Sequence, residues 1–361
     1  MQKKKYYINI IFMLFLLGAV FFVLLKDQDL YEIMSALKKA DKTYMFLASV
    51  AAVVFIVLQG VSIKIILKSL GEKLSLLKSV AYTFVEFLFN AITPSASGGQ
   101  PMQVIYMNSD GVNMGASSVA LLFWTIIYKI ALIVIELAVF LISPGFARHY
   151  LGKYMWLFIV GIAVNVVSIF LYSIIVFSKN GAKNIAYFCT WLLHKLRIVK
   201  KKEKIEKKLD HLLASYQEGA EYMRSHIGTA VVVLGITIVQ RLAYFVITWF
   251  VYKSLGFSEY TCFQITALQS FVAVCIDILP FPGGVGVNEG FFVKLFAPVM
   301  GRSKAVSAML LSRGAGFYVL LILSAVVSLG AQAHKIHKEG KKIRIGKHHA
   351  AENIEQNKEE V

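Results

Sequence analysis

Cysteine, proline and acidic residues are all scarce in this chain. Its three cysteines, Cys189, Cys262 and Cys275, lie in or near apolar segments without CxxC spacing. That excludes a disulfide framework and a zinc site and reads them as packing residues. Acids number 21 against 38 Lys and Arg, a net charge of +17. The excess does not imply nucleic acid, because the bases flank long apolar runs and no recognition module accompanies them. Four of the eight histidines, His334, His337, His348 and His349, fall in the polar C-terminal stretch, where a solvated tail is the simpler reading than a metal site. No metal or cofactor is assigned. Long polar stretches are also few. A connector over 179–226 and a tail of about 30 residues are each too small for a soluble catalytic domain. No grouping of nucleophile, base and oxyanion donors is apparent.

Apolar sequence is abundant instead: 57% of residues are hydrophobic and the mean hydropathy is +0.65, above the range of an ordinary soluble domain. Runs near 8–25, 44–63, 116–142, 154–178, 228–252 and 304–330 are each long enough to cross a bilayer core of roughly 30 Å as a helix. The first follows Lys3, Lys4 and Lys5 but has no small-residue cleavage site before Lys26-Asp27, and is read as a retained anchor. Two further apolar segments are broken, at Thr93-Pro94-Ser95-Ala96-Ser97-Gly98-Gly99 and at Leu279-Pro280-Phe281-Pro282-Gly283-Gly284-Val285-Gly286. Irregular backbone at bilayer depth must be satisfied by protein or a water-filled cavity, so paired breaks point to a binding site near the midplane.

Charge sets the topology. If the broken segments 76–111 and 262–300 each enter and leave on one side, the N-terminus, 64–78, 179–226 and the tail share a side and carry 25 of the 38 bases. The opposite loops carry nine, so the rich side is cytoplasmic. The expected fold is therefore an all-α polytopic membrane protein with about six spans and two re-entrant hairpins in an inverted repeat. Its expected parts are an anchor and external loop (1–43), a first repeat (44–178), a basic connector (179–227), a second repeat (228–332) and a polar tail (333–361). Within the connector, Lys200-Lys201-Lys202 precede Ile205, Leu209, Leu212, Leu213 and Tyr216 at helical spacing. This is either an interfacial amphipathic helix or a solvated connector.

Ionisable residues at membrane depth are costly and are functional candidates by default. They are Glu86, Lys129, Glu136, Arg241, Asp277, Glu289, Lys294 and Arg313. Glu86 and Asp277 precede the two tips, Glu289 follows the second, and Lys129 and Glu136 share a helix face from which both can line one cavity. Arg241 and Arg313 are the candidate phosphate partners, with pairing to Asp277 or Glu289 as the alternative. Consecutive Gly98-Gly99 and Gly283-Gly284 let backbone N–H groups converge on an anion. Gln100, Gln103 and Asn108 after the first tip and Asn288 after the second add uncharged donors.

Asn90 to Tyr106, with Thr93-Pro94, Gly98-Gly99-Gln100-Pro101 and Gln103, then Leu279 to Glu289, then Arg313 with Tyr318, occur in an order that resembles the lysylphosphatidylglycerol synthase transmembrane-domain family. This is the flippase-like part of multiple peptide resistance factor and its stand-alone relatives. The resemblance places Gly98, Gly99, Pro282, Gly283, Gly284, Glu289 and Arg313 in signature segments. Many relatives carry Glu and a downstream Arg after the first Gly-Gly, where this chain has Gln100 and Gln103. The resemblance implies a membrane protein that binds and translocates a phospholipid headgroup, aminoacylated phosphatidylglycerol being one choice; the charge count above places both termini in the cytoplasm and the protein in the cell membrane. A separate soluble synthase is an implied partner. The family name also implies a phosphatidylglycerol lysyltransferase, and a non-transporting scaffold is a third reading.

Overall fold

The computed structural model describes residues 30–93, 97–178, 216–276 and 287–331, with residues 181, 183, 184, 187, 190, 191 and 213 between them. The first apolar run, residues 94–96 and 277–286 at the two tips, Cys189, Lys200 to Lys202, Ile205, Leu209, Leu212 and the tail lie outside the described residues. Those described form helices, and none forms a strand. In order they are α1 (Leu30–Lys39), α2 (Lys42–Ser69), α3 (Leu76–Ile92), α4 (Gly99–Ser109), α5 (Met114–Ile142), α6 (Pro144–Leu151) and α7 (Met155–Phe177). The second half holds α8 (Ile227–Ser254), α9 (Cys262–Ile276), α10 (Val287–Met300) and α11 (Arg302–Ala331). Five stretches, Lys42–Ser69, Met114–Ile142, Pro144–Phe177, Ile227–Ser254 and Arg302–Ala331, are long and apolar enough to cross a membrane. They coincide with the last five apolar runs of the sequence. The protein is an all-α, multi-pass membrane protein.

Capping explains where these helices start. The Asp41 carboxylate accepts from the Thr43 amide at 2.7 Å, the Ser75 hydroxyl from the Lys78 amide at 3.3 Å, and Asn113 Oδ1 from the Gly115 and Ala116 amides. Each oxygen satisfies donors that a helix leaves unpaired at its first turn. Two long helices stop in the same way, α2 at Gly71 (φ 83°) and α8 at Gly256 (φ 85°), a conformation that glycine enters without a Cβ clash. The segments are Lys68-Ser69-Leu70-Gly71 and Lys253-Ser254-Leu255-Gly256. Their separation along the chain equals that between Gly98-Gly99 and Gly283-Gly284. This is a repeat signal that span-level reading missed.

The most extensive helix contact is between α2 and α8. They run antiparallel, since the Asp41 amide at the start of α2 donates to the Ser254 carbonyl at the end of α8 at 2.9 Å. Around this pair the contacts come in matched sets. α2 packs on α3 and α8 on α9; α5 packs on α8 and the π-turn part of α11 on α2. Antiparallel first spans with exchanged partners are what an inverted repeat requires. In the broken segments, α4 and α10 have 11 and 14 residues, about 16 and 21 Å of helix, too short to cross.

Helix α7 lies at the periphery. Trp156, Ile159, Phe170 and Ile174 are exposed, as side chains facing lipid are. Its inner face comes so close to α9 that a Cβ on Gly161 would stand 2.6 Å from the Val274 carbonyl oxygen. Of the connector's apolar set, Leu213 and Tyr216 are buried. The Tyr216 hydroxyl donates to the Ile175 carbonyl at 3.3 Å, and burial pushes it up to about 12. Cysteine usage needs a correction: Cys275 is buried, but Cys262 is exposed at the start of α9 and is not a packing residue.

Candidate functional site

In the second half, Arg313 ends the regular part of α11 and is followed by a π turn over Gly314–Tyr318. Such turns widen a helix locally and concentrate at functional sites. A Cβ on Gly316 would stand 3.3 Å from Ile247 Cδ1, so the small residue lets the turn approach α8. Arg313 Nη1 lies 2.8 Å from Glu289 Oε1, and both side chains are about nine-tenths buried. Glu289 occupies the first turn of α10, where the helix dipole favours an acid. The pair borders a pocket of about 70 Å³ whose polar lining includes Asn288, Gln269, Thr248 and Ser312. That space holds a few waters or a small polar group. Thr248 Oγ1 donates to Gln269 Oε1 at 3.0 Å.

Arg241 does not join this pair. Its guanidinium lies over the rings of Phe55 (4.6 Å), Tyr128 (4.8 Å) and Tyr244 (5.6 Å), tying α2, α5 and α8 together by cation–π attraction. Among the described residues no carboxylate reaches it at ion-pairing distance. Tyr244 also lines the pocket, so one ring separates Arg241 from the space that Arg313 faces.

The first-half residues form a second group. At the tip, the Gly98 amide donates to Thr93 Oγ1 at 2.9 Å and the Gly99 amide to Asn90 Oδ1 at 3.1 Å. A Cβ on either glycine would collide with that same side chain. The expected anion nest is thus occupied by the hairpin's own Thr93 and Asn90. Gln100 Nε2 donates to Thr125 Oγ1 on α5 at 2.7 Å, and Gln103 is fully buried. Glu86 Oε2 accepts from Gln59 Nε2 at 2.7 Å, and Gln59 Oε1 accepts from Gln240 Nε2 at 3.3 Å. All three are buried.

The sequence placed one site between two hairpins, whereas the structure divides these residues between a second-half pocket and a first-half network that meets α8. Lys129 lies over the Tyr128 ring while Glu136 is buried, so no shared cavity gathers them among the described pockets. Lys294 is exposed. Asp277, Gly283 and Gly284 lie outside the described residues. The polar residues missed were Gln59, Gln240, Thr248, Gln269 and Ser312. The available signal was uncharged amides and hydroxyls inside the apolar helices, away from the tips that Gln100, Gln103, Asn108 and Asn288 follow.

Comparison with known proteins agrees with the helix pattern. A UPF0104 membrane protein of Archaeoglobus fulgidus is 27% identical over 267 residues, 73% of this chain and 79% of the relative. A UPF0104 membrane protein of Pyrococcus horikoshii is 25% identical over 344 residues, 90% of this chain and 97% of the relative. The family described as the lysylphosphatidylglycerol synthase TM region matches residues 9–324, and the chain belongs to that family.

Proposed function

We propose that this protein is a flippase-like lipid transporter of the cell membrane, with both termini cytoplasmic, that takes a phospholipid headgroup into the second-half pocket. The observation that carries this reading is the buried Arg313–Glu289 pair beside a polar pocket within apolar helices. A guanidinium presents a rigid fork suited to phosphate oxygens. The carboxylate beside it suits the ammonium of a zwitterionic or aminoacylated headgroup. Asn288, Gln269 and Ser312 supply neutral hydrogen bonds, while the acyl tails stay in the bilayer. The opposed halves would expose the pocket to each side in turn.

Lysyl transfer rests on the family's name alone. With the Glu289 carboxylate held by Arg313 and the Thr248 hydroxyl donating to Gln269, the arrangement suits holding a headgroup rather than moving an acyl group. The test is lipid retention by the purified protein, read by native mass spectrometry after equilibration with phospholipids of different headgroups. Arg313→Gln should retain phospholipid roughly tenfold or more less well, the value of one charge-assisted hydrogen bond. Retention equal to the parent protein would remove the pocket from the account.

A further inference from the structure

Glu86 is 6% exposed, on a helix of the first hairpin. A carboxylate taken out of water is normally matched by a cation. Among the described residues none lies at ion-pairing distance from it. Its partners are neutral amides whose orientation is fixed from outside. Gln59 accepts from Gln240 on α8, which turns its own NH₂ toward Glu86. Asn90, one helical turn after Glu86, accepts from the Gly99 amide at the start of α4 and is a second hydrogen-bonding neighbour of Glu86. Two arms of donors, one reaching into the second half and one to the hairpin tip, therefore converge on one carboxyl group.

We propose that Glu86 is a proton-exchange site, forming and breaking an O–H bond at a carboxylate oxygen, whose affinity for the proton is set by how the second half sits against the first hairpin. The surroundings are wrong for a metal cation, which needs several oxygen ligands, because the neighbour at 2.7 Å, Gln59, presents its NH₂ group. They suit a group that exists in both forms. The donors stabilise the anion without adding charge, and nothing forbids the acid. If Gln240 moves with the second half, or Gly99 with the tip, an arm is lost and the proton is held more tightly. By linkage, proton binding then biases the same movement. The charged and titratable groups on the surrounding elements are Lys42, Tyr44, Lys64 and Lys68 on α2, Tyr106 on α4, Arg241, Tyr244, Tyr252 and Lys253 on α8, and Arg302, Lys304, Arg313 and Tyr318 on α11. Lys78 and Tyr82 on α3 are engaged by Asp110 at the hairpin base.

This goes beyond headgroup binding and is tested without it, by infrared difference spectroscopy of the bilayer-reconstituted protein titrated with acid and base. The expected result is a carboxylic-acid carbonyl band that titrates, persists in Glu136→Gln and disappears in Glu86→Gln, a replacement of nearly the same shape as the acid. Gln240→Leu should raise the proton affinity of that band about tenfold, through the loss of an arm. Adding sodium should leave it unmoved. A spectrum identical in Glu86→Gln and parent overturns the site, an unmoved midpoint in Gln240→Leu overturns its coupling to the second half, and competition by sodium makes it a metal-cation site. None of these readouts depends on whether the protein moves lipid.

Discussion

Arg313 and Glu289 illustrate how one side-chain pair can be either structural or functional, and what separates the two roles. Removing one partner leaves a buried charge uncompensated, at a cost of about 3–5 kcal/mol, so Arg313→Gln alone should lower thermal stability markedly. Joining it to Glu289→Gln should restore most of that stability, as a melting curve of the detergent-solubilised protein would show. Lipid retention should stay low in the double variant if the guanidinium holds phosphate, and recover if the pair only braces α10 against α11. Gly99 makes a second residue-scale case. Its Cβ would land on the Asn90 amide, so Gly99→Ala should break the Asn90 contact and destabilise the hairpin by about 1–3 kcal/mol. A melting temperature equal to the parent's would show that the tip relaxes freely. Charged residues such as these were legible in the sequence because charge in an apolar run is rare. Gln59 and Gln240 were not, since an amide at depth is cheap enough to pass unnoticed until its partner is seen across 181 positions of chain.

Between elements, contact depends on small residues more than on the apolar pattern. At Gly60 a Cβ would stand 2.8 Å from Val80 Cα, and the Gly60 carbonyl accepts from Ser79 Oγ at 2.7 Å. α2 and α3 therefore meet backbone to backbone, the close approach by which membrane helices gain packing without a hydrophobic drive. Gly60→Leu should push the hairpin off α2 and cost about 1–3 kcal/mol from overpacking, whereas Gly235→Leu, with open space around its Cβ position, should be neutral. Equal melting temperatures for the two variants would contradict the contact. Helix extents were largely readable, because an apolar run long enough to span has only one stable form in lipid. The π turn after Arg313 was not, since it depends on how α11 is seated against α8 and α2 rather than on any run of residue types.

Across the whole molecule, the positive-inside count carries the expectation of which side is cytoplasmic, while the antiparallel α2–α8 pair shows only how the two first spans oppose one another. Glu72 and Glu218 border one cleft, so the α2–α3 turn and the end of the connector share a face. With Cys189, Cys262 and Cys275 replaced, cysteines introduced at Glu72 and Glu218 should label only after the membrane is opened. One at Ser258, beyond the opposite end of α8, should label in intact cells; the reverse pattern would invert the topology and remove the charge argument. The order of spans and broken segments was legible in the sequence, whereas the repeated Lys-Ser-Leu-Gly that accompanies it was missed. The division of the site was not legible, because side chains from five or more helices converge only in three dimensions.

Headgroup translocation is the central claim, and reconstitution into sealed vesicles carrying a headgroup-labelled phospholipid tests it most directly, with a membrane-impermeant quencher reporting the inner leaflet over time. The parent protein should make lipid initially in the inner leaflet accessible to the quencher far faster than protein-free vesicles. The Arg313→Gln, Glu289→Gln double variant, matched for stability and insertion, should fall to the protein-free rate. Parent vesicles indistinguishable from protein-free ones under imposed pH gradients of either sign and across headgroup classes, or a stable double variant that moves lipid as fast as the parent, would contradict the account.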